Sequence, residues 1–230
     1  AQSNKKRAIM KKTRVIPHTE WAAPSLWSAR PATIGVLLFA LTTLGIGEGL
    51  LVLADLGSAP WTVLSQGLAL KMDVGIGWAS LVISILVMLA WFPLQLKPGL
   101  GTLLNVIVIA FFLGLTTKSL SPPTTLFSQM VFCSSGILLY GLGTALYLTC
   151  HLGSGPRDGL MVGVCQRFHW KVGAVRTSIE VTVCLLGFLL GGTVGLGTLL
   201  FAACIGWVVQ FCLTLIGQLP HFSHERDNLS

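Results

Sequence analysis

The chain has 230 residues, 53% hydrophobic and only 10% charged, with a formal net charge of +7. An ordinary soluble domain carries about 25% charged residues, so this composition does not coat a 24.5 kDa globule in water. It argues against a soluble enzyme, a disordered chain and a nucleic-acid binder, and leaves a helical integral membrane protein with a mean hydropathy of +0.79.

The chain opens on a basic tail, residues 1–30, in which Lys5, Lys6, Arg7, Lys11, Lys12 and Arg14 face only Glu20. Such a tail suits anionic lipid on the cytoplasmic side. It is not a signal peptide, because Pro17, His18, Thr19 and Glu20 interrupt before any apolar core. Residues 21–27, with Trp21 and Trp27 beside Pro24, read either as a headgroup-level segment or as plain disorder. Six long apolar segments follow, near 32–53, 75–96, 102–117, 126–149, 172–190 and 198–219. About 20 helical residues cross a bilayer core. Two shorter segments, 61–71 and 157–168, reach about half that depth as helices. The polar end, 220–230, carries His221 and His224, read as a solvated tail rather than a metal site.

The apolar region is written twice. A shift of 96 residues lays Leu56-Gly-Ser-Ala-Pro60 on Leu152-Gly-Ser-Gly-Pro156 without a gap. The same shift lays Gly99-Leu-Gly-Thr-Leu-Leu104 on Gly195-Leu-Gly-Thr-Leu-Leu200. Repeat 1 is 31–120 and repeat 2 is 121–219, each with three spans and one half-membrane helix. Three crossings per repeat turn the second repeat upside down, as in many transporters. With the N-terminus inside, Lys97, Arg157, Arg167, Lys171, Arg176 and Arg226 fall on the cytoplasmic side and only Lys71 and Lys118 outside. The rival arrangement, eight crossings in parallel repeats, places Lys97 and Arg157 outside.

The six cysteines, Cys133, Cys150, Cys165, Cys184, Cys204 and Cys212, sit in or beside apolar runs without a C-x-x-C pair and read as small buried hydrophobes. No cofactor or metal is implied. The L-G-S-x-P starts of the short helices, K-P-G-L-G-T after the second span, G-P-R-D-G-L, and R-T-x-I-E at 176–180 resemble the YczE/YyaS/YitT group of bacterial membrane proteins. The resemblance covers about 32–219 and implies a multi-pass cytoplasmic-membrane protein.

Candidate site residues gather at the short helices. Ser58 and Ser154 suit N-caps, and Pro60 and Pro156 suit the first turn. Inward-pointing helix N-termini at bilayer depth can bind an anion or polar group; a packing element with internally satisfied donors is the plainer alternative. Gly155, Arg157 and Asp158 open the second half-helix, where the first has Ala59, Trp61 and Thr62. Arg157 is the candidate anion contact, and Trp61 the group that stacks or seals. Glu48 lies inside an apolar span, where an ionised acid is costly, and is the candidate proton carrier or a buried hydrogen-bonded acid. Arg176 and Glu180, four apart on one helix face, predict an ion pair that orients helices or gates. Gly45, Gly47 and Gly49 predict close helix packing, and Asn105 a structural hydrogen bond.

These features favour a secondary transporter or channel for a small polar or anionic solute. Membrane lipids and the solute are its partners, and a protein partner or homo-oligomer is compatible. The alternative is a non-transporting scaffold or assembly factor for a partner enzyme. An intramembrane enzyme is the weakest reading, as no nucleophile–base set is evident. A polar cavity joining Ser58, Ser154, Arg157 and Glu48 favours transport, and a dry, filled centre favours the scaffold.

Overall fold

The computed structural model describes residues 19–170 and 172–218. The basic cluster at 5–14, Lys171, His221, His224 and Arg226 lie outside the described residues. Eight helices are described: α1 Pro31–Ala54, α2 Pro60–Met72, α3 Ile76–Leu89, α4 Leu100–Ser119, α5 Leu126–Thr149, α6 Pro156–Phe168, α7 Val172–Leu189 and α8 Leu196–Gly217. The described residues contain no strand. In hydrocarbon every backbone group must be satisfied within its own segment, so helices follow from the composition.

Among the described residues, α1, α4, α5 and α8 are long and apolar enough to cross a membrane. The helices α2 and α3 are bent by 114° at a short break, so together they form a broken span or a re-entrant loop. The expected second span, 75–96, is corrected: α3 stops at Leu89, and 90–95 turns, with Gln95 at φ 54° and Pro93 unable to donate to a continuing ladder. The third segment is longer than expected, since α4 runs two residues further at each end.

The two halves meet through reciprocal contacts. A Cβ placed on Gly47 of α1 would lie 2.9 Å from Gly136 O of α5. One on Gly143 of α5 would lie 2.7 Å from Ala40 O of α1. These are the same contact after the 96-residue shift, and only glycine permits backbones this close. The contacts move down α5 as they move up α1, so these equivalent helices run antiparallel. The loops obey the same exchange. Leu152 O accepts from Gly101 N at 2.9 Å, and Leu56 O accepts from Gly197 N at 2.6 Å. Gly57 (φ +96°) and Gly153 (φ +109°) sit at these turns in the left-handed region, which glycine enters without steric cost. Gly45 and Gly49 pack on α4, as expected.

The exchange is not complete. In repeat 1, α3 and α4 pack so that a Cβ on Gly114 would lie 3.3 Å from Gly77 Cα. In repeat 2, α7 packs on α2 and α6, α8 packs on α5, and α7 and α8 have no comparable interface. The position equivalent to Gly114 is Gln210, whose side chain is too large for that approach.

The segment before α1 is partly docked. Trp21 Nε1 donates to Thr149 Oγ1 at 2.9 Å, and Ala23 N donates to Cys150 O at 2.9 Å. Trp27 is exposed, as a headgroup-level indole would be.

Candidate functional site

Each half-helix starts on proline. Pro60 and Pro156 occupy the first turns of α2 and α6, where a missing N–H costs least. The expected serine caps are not formed. The N-cap residues are Ala59 and Gly155, neither with a side-chain cap. Ser58 is buried and donates to Gln66 Oε1 at 3.2 Å. Ser154 offers its backbone carbonyl to Thr102 Oγ1 at 2.7 Å. The serines stand one residue too early for capping, because Pro60 and Pro156 are already helical. They tie the turns to neighbouring elements instead.

A cavity of about 580 Å³ lies among the helices. The predicted residues on its wall are Glu48, Pro60, Trp61, Ser154, Gly155, Arg157, Asp158, Arg176 and Glu180. Ser58 is the exception, sealed away behind the turn. The wall pairs repeat-equivalent positions with unlike chemistry. Ser80 and Ser84 of α3 stand where repeat 2 has Arg176 and Glu180, and Trp61 stands where it has Arg157. Apart from Glu48, the charge on the wall comes from repeat 2.

Glu48 and Arg157 are the centre of this site. Arg157 Nη1 donates to Glu48 Oε1 at 3.1 Å, a pair that joins α1 of one repeat to α6 of the other. Glu48 is 1% exposed, and its Oε2 is buried without a hydrogen-bond partner. The guanidinium lies 5.5 Å from the centroid of the Trp61 ring, a cation–π distance. Thus Arg157 is held between a carboxylate and an indole, both from repeat 1. A guanidinium has five donors, so one bond to Glu48 leaves others to meet a solute oxygen. Arg176 Nε donates to Glu180 Oε1 at 3.0 Å. This i,i+4 pair is exposed, and it belongs to the cavity wall rather than to packed interior.

Some site residues were not singled out by sequence reasoning. Trp91, in the turn after α3, donates from Nε1 to Pro156 O at 3.0 Å and fills the space above Gly159. A tryptophan at a span end ordinarily reads as an interface anchor, so its sequence position hides this role. Tyr140 and Tyr147 also line the cavity, and Tyr147 Oη donates to Gly153 O at 2.7 Å. Asn105, read as a structural amide, lines the cavity beside Gly155. Gln210 is a polar group on an apolar helix, and that anomaly was visible in the sequence.

Residues 32–214 match a family model described as "Family of unknown function (DUF6198)". The chain belongs to this DUF6198 family. Proteins similar to the chain include the "Uncharacterized membrane protein YczE" of Bacillus subtilis, 29% identical over 74% of this chain and 80% of its own length. Another is the "Uncharacterized protein YyaS" of the same organism, 28% identical over 84% of this chain and 95% of its own. A Haemophilus influenzae protein described as "Uncharacterized protein" is 68% identical over 95% of this chain and all of its own length. No solved structure matches. The resemblance drawn from L-G-S-x-P and G-P-R-D-G-L therefore holds for YczE and YyaS, and the DUF6198 chain is a membrane protein.

Proposed function

We propose that the chain is a secondary carrier or channel of the bacterial cytoplasmic membrane that moves a small polar or anionic solute without chemically converting it. The observation that carries this reading is the cavity on whose wall Glu48, Arg157 and both half-helix starts converge. A scaffold has no need of a buried ion pair beside a cavity, since a well-packed apolar centre is as stable. The solute binds at the α6 start, where Arg157 donors and first-turn N–H groups coincide. Glu48 responds to its arrival, because a solute oxygen competes for the guanidinium that neutralises it.

In this reading the repeats are inverted across the membrane plane and both termini are cytoplasmic. The antiparallel course of α1 and α5 supports it. Lys71 and Arg167 are repeat-equivalent, exposed and at the ends of the two half-helices. In a cysteine-free background, Lys71→Cys is expected to react with an impermeant maleimide from outside, and Arg167→Cys only from the cytoplasmic side. Labelling of both from one side rejects the inverted arrangement.

Function is tested by flux in proteoliposomes over a panel of small anions and neutral polar solutes. At least one is expected to move with the wild type and to slow at least tenfold with Arg157→Ala and with Glu48→Gln. Identical behaviour of wild type and variants across the panel removes these residues from the pathway.

A further inference from the structure

The unequal packing of the two repeats gives the cavity a side that its symmetry alone would have closed. The wall on α8 is formed by Phe201, Ile205, Gly206, Val209, Gln210 and Leu213. These positions recur at i+4 and i+5, so they form one stripe. The stripe is about 18 Å long at 1.5 Å per residue, more than half of a hydrocarbon core of about 30 Å. The stripe is apolar except for Gln210. Across the gap stand Arg176 and Glu180 of α7, and beyond them Arg157, Asp158 and Glu48.

Three observations make this gap more than loose packing. Repeat 1 closes the equivalent seam with Gly77 against Gly114, whereas Gln210 in the place of Gly114 rules that closure out of repeat 2. A Cβ on Gly206 would meet nothing within 4 Å, while its repeat equivalent, Ala110 of α4, is buried with its carbonyl 2.5 Å from a Cβ placed on Gly77. Finally, an exposed amide and an exposed ion pair border an otherwise apolar slot. Lipid tails alone do not repay polar groups at that depth.

We infer that the slot between α7 and α8 is a lateral entrance from the bilayer, and that the solute is a single-chain amphiphile. Its chain lies along Ile205, Gly206, Val209 and Leu213. Its head group, carrying both signs of charge, meets the guanidinium and carboxylate groups of Arg157, Arg176, Glu180 and Glu48. A head with an amine and a phosphate satisfies both: the amine donates to carboxylate, and the phosphate oxygens accept from guanidinium. This rests on the cavity being a solute pathway, and it names the class of solute.

The test uses the full chain in phosphatidylcholine nanodiscs with a lysophosphatidylethanolamine bearing a diazirine at the end of its acyl chain. Photolabel is expected at Ile205, Val209 and Leu213 in preference to Trp207, Phe211 and Leu215, which are exposed on the rest of α8. Gly206→Trp is expected to lower that label at least tenfold. The equally open Gly35→Trp on α1 is expected to leave it unchanged. Unlabelled lysophosphatidylethanolamine competes, and glycerophosphoethanolamine, the same head without a chain, does not. Label confined to Trp207, Phe211 and Leu215, or label indifferent to Gly206→Trp, overturns the lateral entrance. If small anions then still cross proteoliposomes in an Arg157-dependent way, only this inference fails. If neither flux nor labelling depends on the site, the transport reading fails with it.

Discussion

At the residue scale the pair Glu48–Arg157 carries the largest energetic stake. Two charges out of water are costly, and their attraction repays this only while both are present. Arg157→Ala strands Glu48, which is 1% exposed, and is expected to destabilise the protein by about 3 kcal/mol. The double variant Glu48→Leu/Arg157→Leu leaves no stranded charge and is expected to lose less than the single one. Thermal unfolding of the wild type, Glu48→Leu, Arg157→Leu and the double variant in one detergent closes a cycle, and additive losses would exclude direct coupling. The sequence made each partner conspicuous, since an acid in an apolar span and an arginine after proline both break the local pattern. It did not pair them. Their 109-residue separation is bridged only when the repeats pack.

At the element scale the half-helices were the most legible feature. Their prolines mark the first turn, and their lengths follow from the polar residues that end them. The serine caps were not legible, because one residue decides whether a hydroxyl reaches the N2 or N3 amide or lies outside the helix. What positions α6 instead is Trp91, through one hydrogen bond to Pro156 O and contact with Gly159. Trp91→Phe removes the bond and keeps most of the ring, at an expected cost of about 1 kcal/mol. Gly159→Ala overpacks the same contact and is expected to cost about 1–3 kcal/mol. Placing both changes in one chain should recover part of the loss, because the smaller ring makes room for the methyl. Melting temperatures that simply add would mean that the indole does not bear on α6. The short α3 has a related cause. Apolar composition continues through 90–96, but Pro93 and the left-handed Gln95 turn the backbone, and hydropathy does not report dihedral angles.

At the scale of the whole molecule, the repeat was legible because identity concentrates at turns, and the structure uses those turns reciprocally. The departure from symmetry was written in a single pair, Gly114 against Gln210, whose meaning depends on knowing that Gly114 faces Gly77. This makes the asymmetry testable by distance. Spin labels at Ile85 and Phe111 report the α3–α4 seam, and labels at the equivalent Val181 and Trp207 report α7–α8; all four residues are exposed. In nanodiscs the second distance is expected to be the longer. Gly114→Gln puts a side chain too large for the Gly77 approach into the repeat 1 seam, so it is expected to lengthen the 85–111 distance and to lower the unfolding temperature. Gln210→Gly is expected to leave the 181–207 distance long, because α7 is held on α2, where Gly187 meets Leu64 and Gly67 in backbone contact. Equal distances in the wild type would mean that both seams close alike and that the cavity has no lateral side. A collapse of 181–207 in Gln210→Gly would place control of the entrance in that one amide rather than in the packing of α7.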